Sequence, residues 1–354
     1  MDYMKTLRKI LETAPSREAR VASATRVIQI AKPGTMVCEF FGRKADVVLY
    51  YDEISKILFD DSGKEFTKDS VDASASKCLF IITHHQARAI TKKLRQYGIQ
   101  TVMDLTQLHW KTIRLLDADF ILAHLGKIER LFEKIDTQSA EILLCLLLFH
   151  IRYDPDILKF SNYPSYFHKN ILLQLEHEII IDGGAFTGDS AFLFLNATQG
   201  AAQIFSFEPD IDNYNTLLRN ILHNKASSHI HALPYGLWDS KSTLHFLSAQ
   251  HTSRIVEHGD NFINTVSIDW FCQFFHINPT WIKLDVEGAE MQALRGASNT
   301  IQKNKPKLCI SLYHCAGDLW ELPDFIMSLR DDYVFHIGHH SVDKTIYDTI
   351  LYAY

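Results

Sequence analysis

A glycine-rich turn in the second half of the chain constrains its fold more than any other feature. The apolar run Glu178–Asp182 predicts a strand, and Ser190–Asn196 predicts a helix. Between them, Gly184 and Gly188 allow the backbone to turn tightly and to approach a ligand closely. The segment therefore predicts the strand, turn and helix that open a doubly wound parallel sheet, with a ligand site at the turn.

The same alternation of strands and helices continues beyond this turn. The predicted elements are the strand Gln203–Glu208, the helix Asp212–His223, the strands His229–Leu233 and Trp281–Asp285, the helix Ala289–Lys303, the strand Lys307–Tyr313 and two final strands, Tyr333–His336 and Thr345–Tyr354. This order is typical of a doubly wound α/β domain, which we place at residues 176–354.

Residues 1–125 show a weaker alternation of the same type. The predicted elements are the strands Met36–Phe41, Asp46–Tyr51, Lys77–Thr83 and Ile99–Leu105 and the amphipathic helix Gln86–Tyr97. They indicate a smaller Rossmann-like α/β domain, to which we assign no nucleotide because Phe41-Gly42-Arg43 lacks the full glycine fingerprint. Residues 126–175, with helical apolar runs and then two prolines, predict a helical connector.

Composition and charge exclude several classes of protein. A formal net charge of -6 over 354 residues argues against a general nucleic-acid-binding surface. Six scattered cysteines without metal-ligand spacing suit a reducing compartment. The most apolar run, Ile142–Ile151, falls well short of the roughly 20 residues that span a bilayer. We expect a cytoplasmic protein without a transmembrane segment, and the sequence does not indicate its oligomeric state.

The residues around the glycine turn suit a pyrophosphate poorly. A dinucleotide fingerprint seats a pyrophosphate on a helix N-terminus, whereas here Phe186 follows Gly184 by two positions and Asp189 follows Gly188. A bulky ring and a carboxylate fit a cationic cofactor without phosphate better. A purely structural glycine turn is the alternative.

A carboxylate stands at the end of the next predicted strand. Glu208, between Phe207 and Pro209, lies roughly 20–25 residues beyond the turn, where an acidic residue chelates ribose hydroxyls in related folds. Trp238 and Asp239 follow the third strand and could offer an apolar wall and a carboxylate to a purine ring. A solvated Glu208 and a core Trp238 are the alternatives.

The strand Trp281–Asp285 ends in an unusual run of charges. In extended chain Lys283, Asp285 and Glu287 alternate onto one face, and Glu290 opens the following helix. Such charges at the end of a central parallel strand are costly unless they are paired or functional. The pattern indicates a functional site, with a structural ion-pair network as the alternative.

Taken together, these motifs resemble the FkbM family of methyltransferases over roughly residues 165–354. The resemblance comprises residues 182–189, Phe207-Glu208-Pro209, residues 282–290, Leu294-Arg295-Gly296-Ala297, Val266-Ser267-Ile268-Asp269, Leu312-Tyr313-His314 and Thr349-Ile350-Leu351-Tyr352. It implies a Rossmann-like class I methyltransferase domain that uses S-adenosylmethionine. It also implies methylation of a hydroxyl on a sugar, a glycan or another small molecule.

The resemblance also implies how the cofactor is held. The turn would surround the methionine part and Glu208 would take the ribose. With the neighbours discussed above, the predicted cofactor-binding residues are Asp182, Gly184, Ala185, Phe186, Gly188, Asp189, Glu208, Pro209, Trp238 and Asp239.

Methyl transfer requires the acceptor oxygen to lie near the methyl group and to lose its proton. The candidates for taking this proton are Asp285 and His314, each at the carboxyl end of a predicted strand. Lys283 could keep Asp285 ionised or orient the acceptor. We assign Glu287, Glu290 and His340 to acceptor binding.

Three alternatives remain open at this point. Asp285, Glu287 and Glu290 could hold a divalent cation, and the histidines between 336 and 340 suggest a second metal site, but we predict no metal. The same sheet could serve an NAD(P)-dependent oxidoreductase. The chain could also be a non-catalytic binding protein with a degenerate methyltransferase domain.

Overall fold

The structure of the protein is a computed structural model. It describes residues 2–35, 37–40, 42–71, 77–106, 117–171, 177–247, 254–255, 261–341 and 347–354. Two compact units make up the chain. The first contains Met1–Glu133, Thr137–Ser161 and His339–Tyr347; the second contains Lys134–Asp136, Asn162–Gly338 and Asp348–Tyr354. The division at residues 125 and 175 made from the sequence remains a prediction.

A six-stranded sheet of order β6-β5-β4-β1-β7-β8 organises the first unit. Its strands are β1 (Arg26–Ala31), β4 (Val47–Tyr51), β5 (Leu58–Phe59), β6 (Glu65–Phe66), β7 (Cys78–Ile82) and β8 (Val102–Asp104), and β2 (Glu39–Phe40) and β3 (Arg43–Lys44) form a separate hairpin. The strands β4, β1, β7 and β8 run parallel, while β5 and β6 add an antiparallel edge. Of the predicted strand Met36–Phe41, both end residues lie outside the described residues.

The central strand β1 is not predicted from the sequence. Its apolar run is interrupted by Gln29, which weakens the strand signal. In the structure Gln29 is fully buried, and its side-chain oxygen accepts a hydrogen bond from the backbone N–H of Cys38 at 2.8 Å. A partner outside the strand therefore permits a polar residue in the middle of this sheet.

Helices accompany this sheet before and after β7. They are α1 (Tyr3–Thr13), α2 (Arg17–Ser23), α3 (Ala87–Gln96), α4 (Ala118–Ala123), α5 (Leu125–Lys134) and α6 (Thr137–Arg152). The helix α3 matches the predicted Gln86–Tyr97, and α5 and α6 match the two helical runs. None of the described helices, α6 with its 16 residues included, combines the length and apolar character of a membrane span.

A seven-stranded sheet of order β11-β10-β9-β16-β17-β19-β18 organises the second unit. Its strands are β9 (Ile179–Gly183), β10 (Gln203–Phe207), β11 (Ile230–Leu233), β16 (Trp281–Leu284), β17 (Lys307–Ser311), β18 (Phe335–His339) and β19 (Thr349–Ala353). The first five run parallel, and β19 pairs antiparallel with β17. Of the predicted strand Thr345–Tyr354, residues 345 and 346 lie outside the described residues.

The strand order places a topological switch point in the middle of this sheet. The chain starts at β9, builds outward to β11, and then crosses to β16 on the other side of β9. In such sheets a crevice opens outside the carboxyl ends of the strands at the switch point. The doubly wound Rossmann-like fold predicted from the sequence is thereby confirmed, and the carboxyl ends of β9 and β16 mark its ligand crevice.

Besides the seven-stranded sheet, the described part of the second unit contains a small sheet and six helices. The sheet has the order β12-β15-β13-β14, with β12 (Gly236–Leu237), β13 (Ser242–Leu247), β14 (Arg254–Ile255) and β15 (Asn261–Val266). The helices are α7 (Asp189–Ala197), α8 (Ile211–His223), α9 (Ile268–Phe275), α10 (Glu290–Arg295), α11 (Ser298–Asn304) and α12 (Asp318–Leu329). The small sheet and the helices α9 and α12 are not predicted from the sequence.

The predicted single helix Ala289–Lys303 is wrong, because α10 and α11 are separate. The first helix ends at Arg295 with Gly296 as its C-terminal cap. A Cβ at Gly296 would lie 2.1 Å from the backbone oxygen of Trp238, so another segment of backbone passes directly over this position. Only glycine permits that approach, and the helix breaks there.

We predict that Gly296→Ala lowers the free energy of unfolding by about 1–3 kcal/mol or more, because a methyl group here must displace backbone. Urea denaturation followed by tryptophan fluorescence would measure the change. The control is Gly126→Ala, since no atom lies within 4 Å of a Cβ there. An unchanged unfolding midpoint for Gly296→Ala would contradict the close approach.

Candidate active site

A buried ion pair joins the glycine turn to the neighbouring strand β16. The sheet register places Lys283 beside Asp182, and the Lys283 Nζ lies 3.2 Å from Asp182 Oδ1. Both side chains are buried, at 1% and 0% exposure. The Nζ also donates to the backbone oxygens of Gly183 at 3.0 Å and Gly184 at 2.7 Å. One ammonium therefore holds both the carboxylate and the turn.

Asp182 is directed into the protein, not toward the crevice. Its Oδ1 accepts a hydrogen bond from the Ser190 hydroxyl at 2.8 Å, and its Oδ2 accepts one from the Ser206 hydroxyl at 3.1 Å. Burial alone would lower the pKa of Lys283, but Asp182 and then Asp285 raise it above its usual value. Asp182 and the charged Lys283 therefore fix the backbone of the turn from its buried side.

Gly184 and Gly188 are required by different constraints. Gly184 has φ +71°, and a Cβ there would lie 1.8 Å from the backbone oxygen of Asp285. Gly188 has φ +102° and caps the N-terminus of α7. Between them Ala185 is buried and Phe186 is half-buried with φ +49°. The turn thus passes against the end of β16, as its glycines predict.

Glu208 connects the end of β10 to this turn. Its Oε2 accepts a hydrogen bond from the backbone N–H of Phe186 at 2.8 Å, and its Oε1 accepts one from that of Asp210 at 3.0 Å. Burial raises the pKa of Glu208 to about 7 despite these donors. Because the two carboxylate oxygens together offer about four acceptor positions, these two bonds leave capacity for further donors.

The other predicted cofactor residues are partly or fully exposed. Asp189 is exposed in the first turn of α7, and Pro209 is half-buried after Glu208. Trp238 is half-buried, and Asp239 is exposed with its carboxylate accepting from the Ser240 hydroxyl at 2.7 Å. His340, predicted to bind the acceptor, belongs to the first compact unit, not to the unit with the other site residues.

An acidic cluster surrounds His314 at the carboxyl ends of β16 and β17. The Nδ1 of His314 lies 2.8 Å from Glu290 Oε1, and its Nε2 faces Asp285 Oδ1 at 3.6 Å and Glu287 Oε2 at 3.7 Å. Burial lowers the pKa of His314, but Glu290, Asp285 and Glu287 outweigh it and raise the pKa to about 10. His314 is therefore a positively charged imidazolium at neutral pH in the protein without ligands.

Glu290 folds back over the turn that follows β16. Its Oε1 accepts from the backbone N–H of Val286 at 2.8 Å, and its Oε2 accepts from that of Gly288 at 3.0 Å. The turn between them contains Glu287 with φ +55° and Gly288 with φ +95°. A non-glycine residue in this conformation is strained and persists only where the surrounding structure holds it, as Glu290 does here. Burial raises the pKa of Glu287 to about 7.

Two tyrosines that sequence reasoning did not assign to the site hold Asp285. The Tyr313 hydroxyl donates to Asp285 Oδ1 at 2.9 Å, and the Tyr166 hydroxyl donates to Oδ2 at 3.2 Å. Burial would raise the pKa of Asp285, but Lys283, His314 and the hydrogen bond from Tyr313 lower it below its usual value. Asp285 is therefore an oriented carboxylate. Tyr313 adjoins His314 in sequence, whereas no local pattern distinguishes Tyr166.

Comparison with known proteins agrees with this arrangement. Residues 182–337 match the family model described as the Methyltransferase FkbM domain. The crystal structure of Methyltransferase FkbM from Methylobacillus flagellatus KT is similar in fold, with a TM-score of 0.72 and 23% identity, covering 99% of this chain and 97% of that chain. The fold expected from the sequence is confirmed, and the match to the family model agrees with the resemblance seen in the sequence.

A curated relative covers a shorter stretch. Hexuronic acid methyltransferase AglP from Haloferax volcanii is 29% identical over 132 residues, which are 36% of this chain and 53% of AglP. The match therefore spans about half the length of that relative.

We predict that Lys283→Met lowers the free energy of unfolding by about 3–5 kcal/mol, because it leaves Asp182 buried without a cation. Chemical denaturation would measure the loss, and adding Asp182→Asn should recover part of it. Lys159→Met, which removes an exposed ion pair with Glu141, is the control. Equal effects of Lys283→Met and Lys159→Met would contradict the role of the buried pair.

We also predict a pH dependence of stability from Glu208. Its pKa of about 7 lies above the value of 4.5 expected in the unfolded chain. The stability that Glu208 contributes as a neutral acid is therefore complete below pH 4.5 and is lost as the pH rises through 7. Glu208→Gln does not titrate, so its melting temperature relative to that of the unchanged protein should rise as the pH is raised from about 5.5 to about 8. Parallel curves for both proteins would be the contrary result.

Proposed function

We propose that the second unit is an S-adenosylmethionine-dependent methyltransferase acting on a hydroxyl of a sugar, a glycan or another small molecule. The observation that carries this proposal is the set of oriented carboxylates at the switch point. Asp285, Glu287 and Glu290 lie around His314 beside the glycine turn of an FkbM methyltransferase domain.

The residues of the crevice fit this cofactor. Glu208 can accept hydroxyl hydrogen bonds from a ribose, and the turn Gly184–Gly188 would hold the methionine part. The exposed Asp189 at the N-terminus of α7 would repel the pyrophosphate of a nicotinamide dinucleotide, which supports a methyltransferase over the oxidoreductase alternative. When bound, S-adenosylmethionine supplies an electrophilic methyl group on a sulfonium.

The residues of the acidic cluster have separate tasks in this proposal. Asp285, ionised and fixed by two tyrosine hydroxyls, orients the acceptor hydroxyl and accepts its hydrogen bond. The surrounding carboxylates raise the pKa of His314, so His314 holds its own proton at neutral pH, which favours Asp285 over His314 as the group that receives the acceptor proton. Lys283 fixes the turn through its hydrogen bonds to the backbone oxygens of Gly183 and Gly184. Its charge also lowers the pKa of Asp285.

A sugar acceptor is supported by the curated relative. By its name, AglP methylates a hexuronic acid. Sugars present hydroxyl groups that can enter a polar, acidic crevice such as the one at the ends of β16 and β17. We therefore propose O-methylation, with a sugar as the preferred class of acceptor.

We predict a division of roles between Glu208 and Asp285. Glu208→Ala should weaken binding of S-adenosylhomocysteine by about tenfold or more in isothermal titration, because it removes a buried hydrogen-bond acceptor. Asp285→Ala should impair turnover more than binding. Equal losses of affinity in the two variants would refute this division.

The identity of the cofactor can be tested separately by ligand-induced stabilisation. S-adenosylhomocysteine should raise the melting temperature of the protein, whereas NAD and NADP should not. A folded protein that binds none of the three would fit the non-catalytic alternative. Stabilisation by NAD or NADP alone would overturn the proposal.

A further inference from the structure

The two sides of the His314 ring are paired in different ways. On one side, Nδ1 lies 2.8 Å from Oε1 of Glu290, whose side chain is 1% exposed. On the other side, Nε2 has no hydrogen-bond partner among the described residues. Asp285 Oδ1 at 3.6 Å and Glu287 Oε2 at 3.7 Å lie beyond the roughly 2.7–3.2 Å of a hydrogen bond. The Nδ1 side therefore belongs to a closed structural pair, whereas the Nε2 side does not.

His314 acts on the carboxylates at its Nε2 through its charge. Against the effect of burial, Glu290, Asp285 and Glu287 raise the pKa of His314 to about 10, so both ring nitrogens carry hydrogen. Without that hydrogen, Nε2 would direct its lone pair at two carboxylates. Because Nε2 is shielded from water, its charge is poorly screened by solvent. His314 therefore attracts both carboxylates to the same edge of its ring and offsets their mutual repulsion.

The carboxylate of Glu287 is oriented but accepts no hydrogen bond from the described residues. The backbone of Glu287 has φ +55°, and Glu290 holds this turn by accepting from the N–H groups of Val286 and Gly288. The Glu287 side chain is 37% exposed. A structural ion pair would close to hydrogen-bond distance, as Glu290 does with His314. The acceptor positions of Glu287 are thus open to a ligand.

Asp285 retains capacity for a further donor. The hydroxyls of Tyr313 and Tyr166 take two of the about four acceptor positions of its carboxylate. The Asp285 side chain is 22% exposed. Two carboxylates, each close to the same nitrogen of His314, therefore offer open acceptor positions at the carboxyl end of β16.

We propose that Asp285 and Glu287 bind two hydroxyl groups on adjacent carbons of the acceptor, and that the hydroxyl on Asp285 is the one methylated. A hydroxyl donates a single hydrogen, so two accepting carboxylates call for two hydroxyls. Because both carboxylates lie within 3.7 Å of one nitrogen, the two hydroxyls must be close together, as in the vicinal diol of a sugar. This inference rests on the proposed methyltransferase function and narrows its acceptor to a vicinal diol.

The second hydroxyl makes Glu287 a specificity-determining residue. An acceptor that lacks this hydroxyl covers the Glu287 carboxylate without giving it a donor. Sites that hydrogen-bond a substrate hydroxyl discriminate strongly against the analogue without it. A methylated product has lost one of the two hydrogens and cannot satisfy both carboxylates again. We therefore expect one methyl group per diol.

The test is methyl transfer from radiolabelled S-adenosylmethionine to the methyl glycosides of glucose, galactose and mannose. The methylated position is identified in the product, and the deoxy analogue that lacks the neighbouring hydroxyl is then compared with its parent. We expect transfer to at least one parent glycoside and a kcat/KM about tenfold or more lower for its deoxy analogue.

Variants of Glu287 connect this preference to the proposed contact. In Glu287→Ala the parent glycoside should lose about tenfold or more in kcat/KM, whereas the deoxy analogue should change little, so the preference for the diol disappears. Glu287→Gln, which keeps a neutral acceptor oxygen, should lose less of the preference. The control is Glu141→Ala, which removes a surface carboxylate paired with Lys159 in the first unit and should keep the preference in full.

The outcomes separate this inference from the proposed function. Binding of S-adenosylhomocysteine, measured on the same samples, shows that each variant is folded and tests the cofactor site by itself. A deoxy analogue used as well as its parent, or a preference that survives in Glu287→Ala, would overturn the diol and leave the methyltransferase proposal intact. Transfer to none of the glycosides by a protein that binds S-adenosylhomocysteine would also overturn the diol. A folded protein that does not bind S-adenosylhomocysteine would instead remove the proposed function itself.

Discussion

The second unit depends on one buried ion pair, Asp182 with Lys283. The two residues face each other on adjacent strands, and Lys283 also binds the carbonyl oxygens of Gly183 and Gly184. Buried charges are tolerated when every polar atom is satisfied, and here two serine hydroxyls complete the shell of Asp182. The pair fixes the path of the glycine turn, and Asp285, two residues beyond Lys283, emerges at the crevice.

A second buried ion pair lies at the opposite ends of the same strands. Glu178, just before β9, is buried and bonds to Lys307 at the start of β17 and to Thr280 before β16. Ion pairs therefore fasten the central strands of the sheet at both of their ends. Between them the strands are apolar and closely packed, as expected for parallel strands covered on both faces.

The sequence predicted which residues lie at the ends of the strands but not the direction in which each side chain points. Strand periodicity and glycines place Asp182, Glu208 and Asp285 at strand ends, and that local pattern is sufficient to identify the fold. Whether a carboxylate points inward, as Asp182 does, depends on partners such as Ser206 that no spacing rule relates to it. Tyr166 donates to Asp285 across 119 positions, and such a contact leaves no local signal.

The last strand has a consequence for synthesis of the chain. Although β19 follows β18 in sequence, it lies between β17 and β18 in the sheet. Until β19 emerges from the ribosome, β17 has an open edge that invites pairing with other chains. The same strand supplies Tyr352, whose hydroxyl accepts the backbone N–H of Tyr166, the residue that bonds to Asp285. A nascent chain therefore cannot complete its crevice before β19 is released.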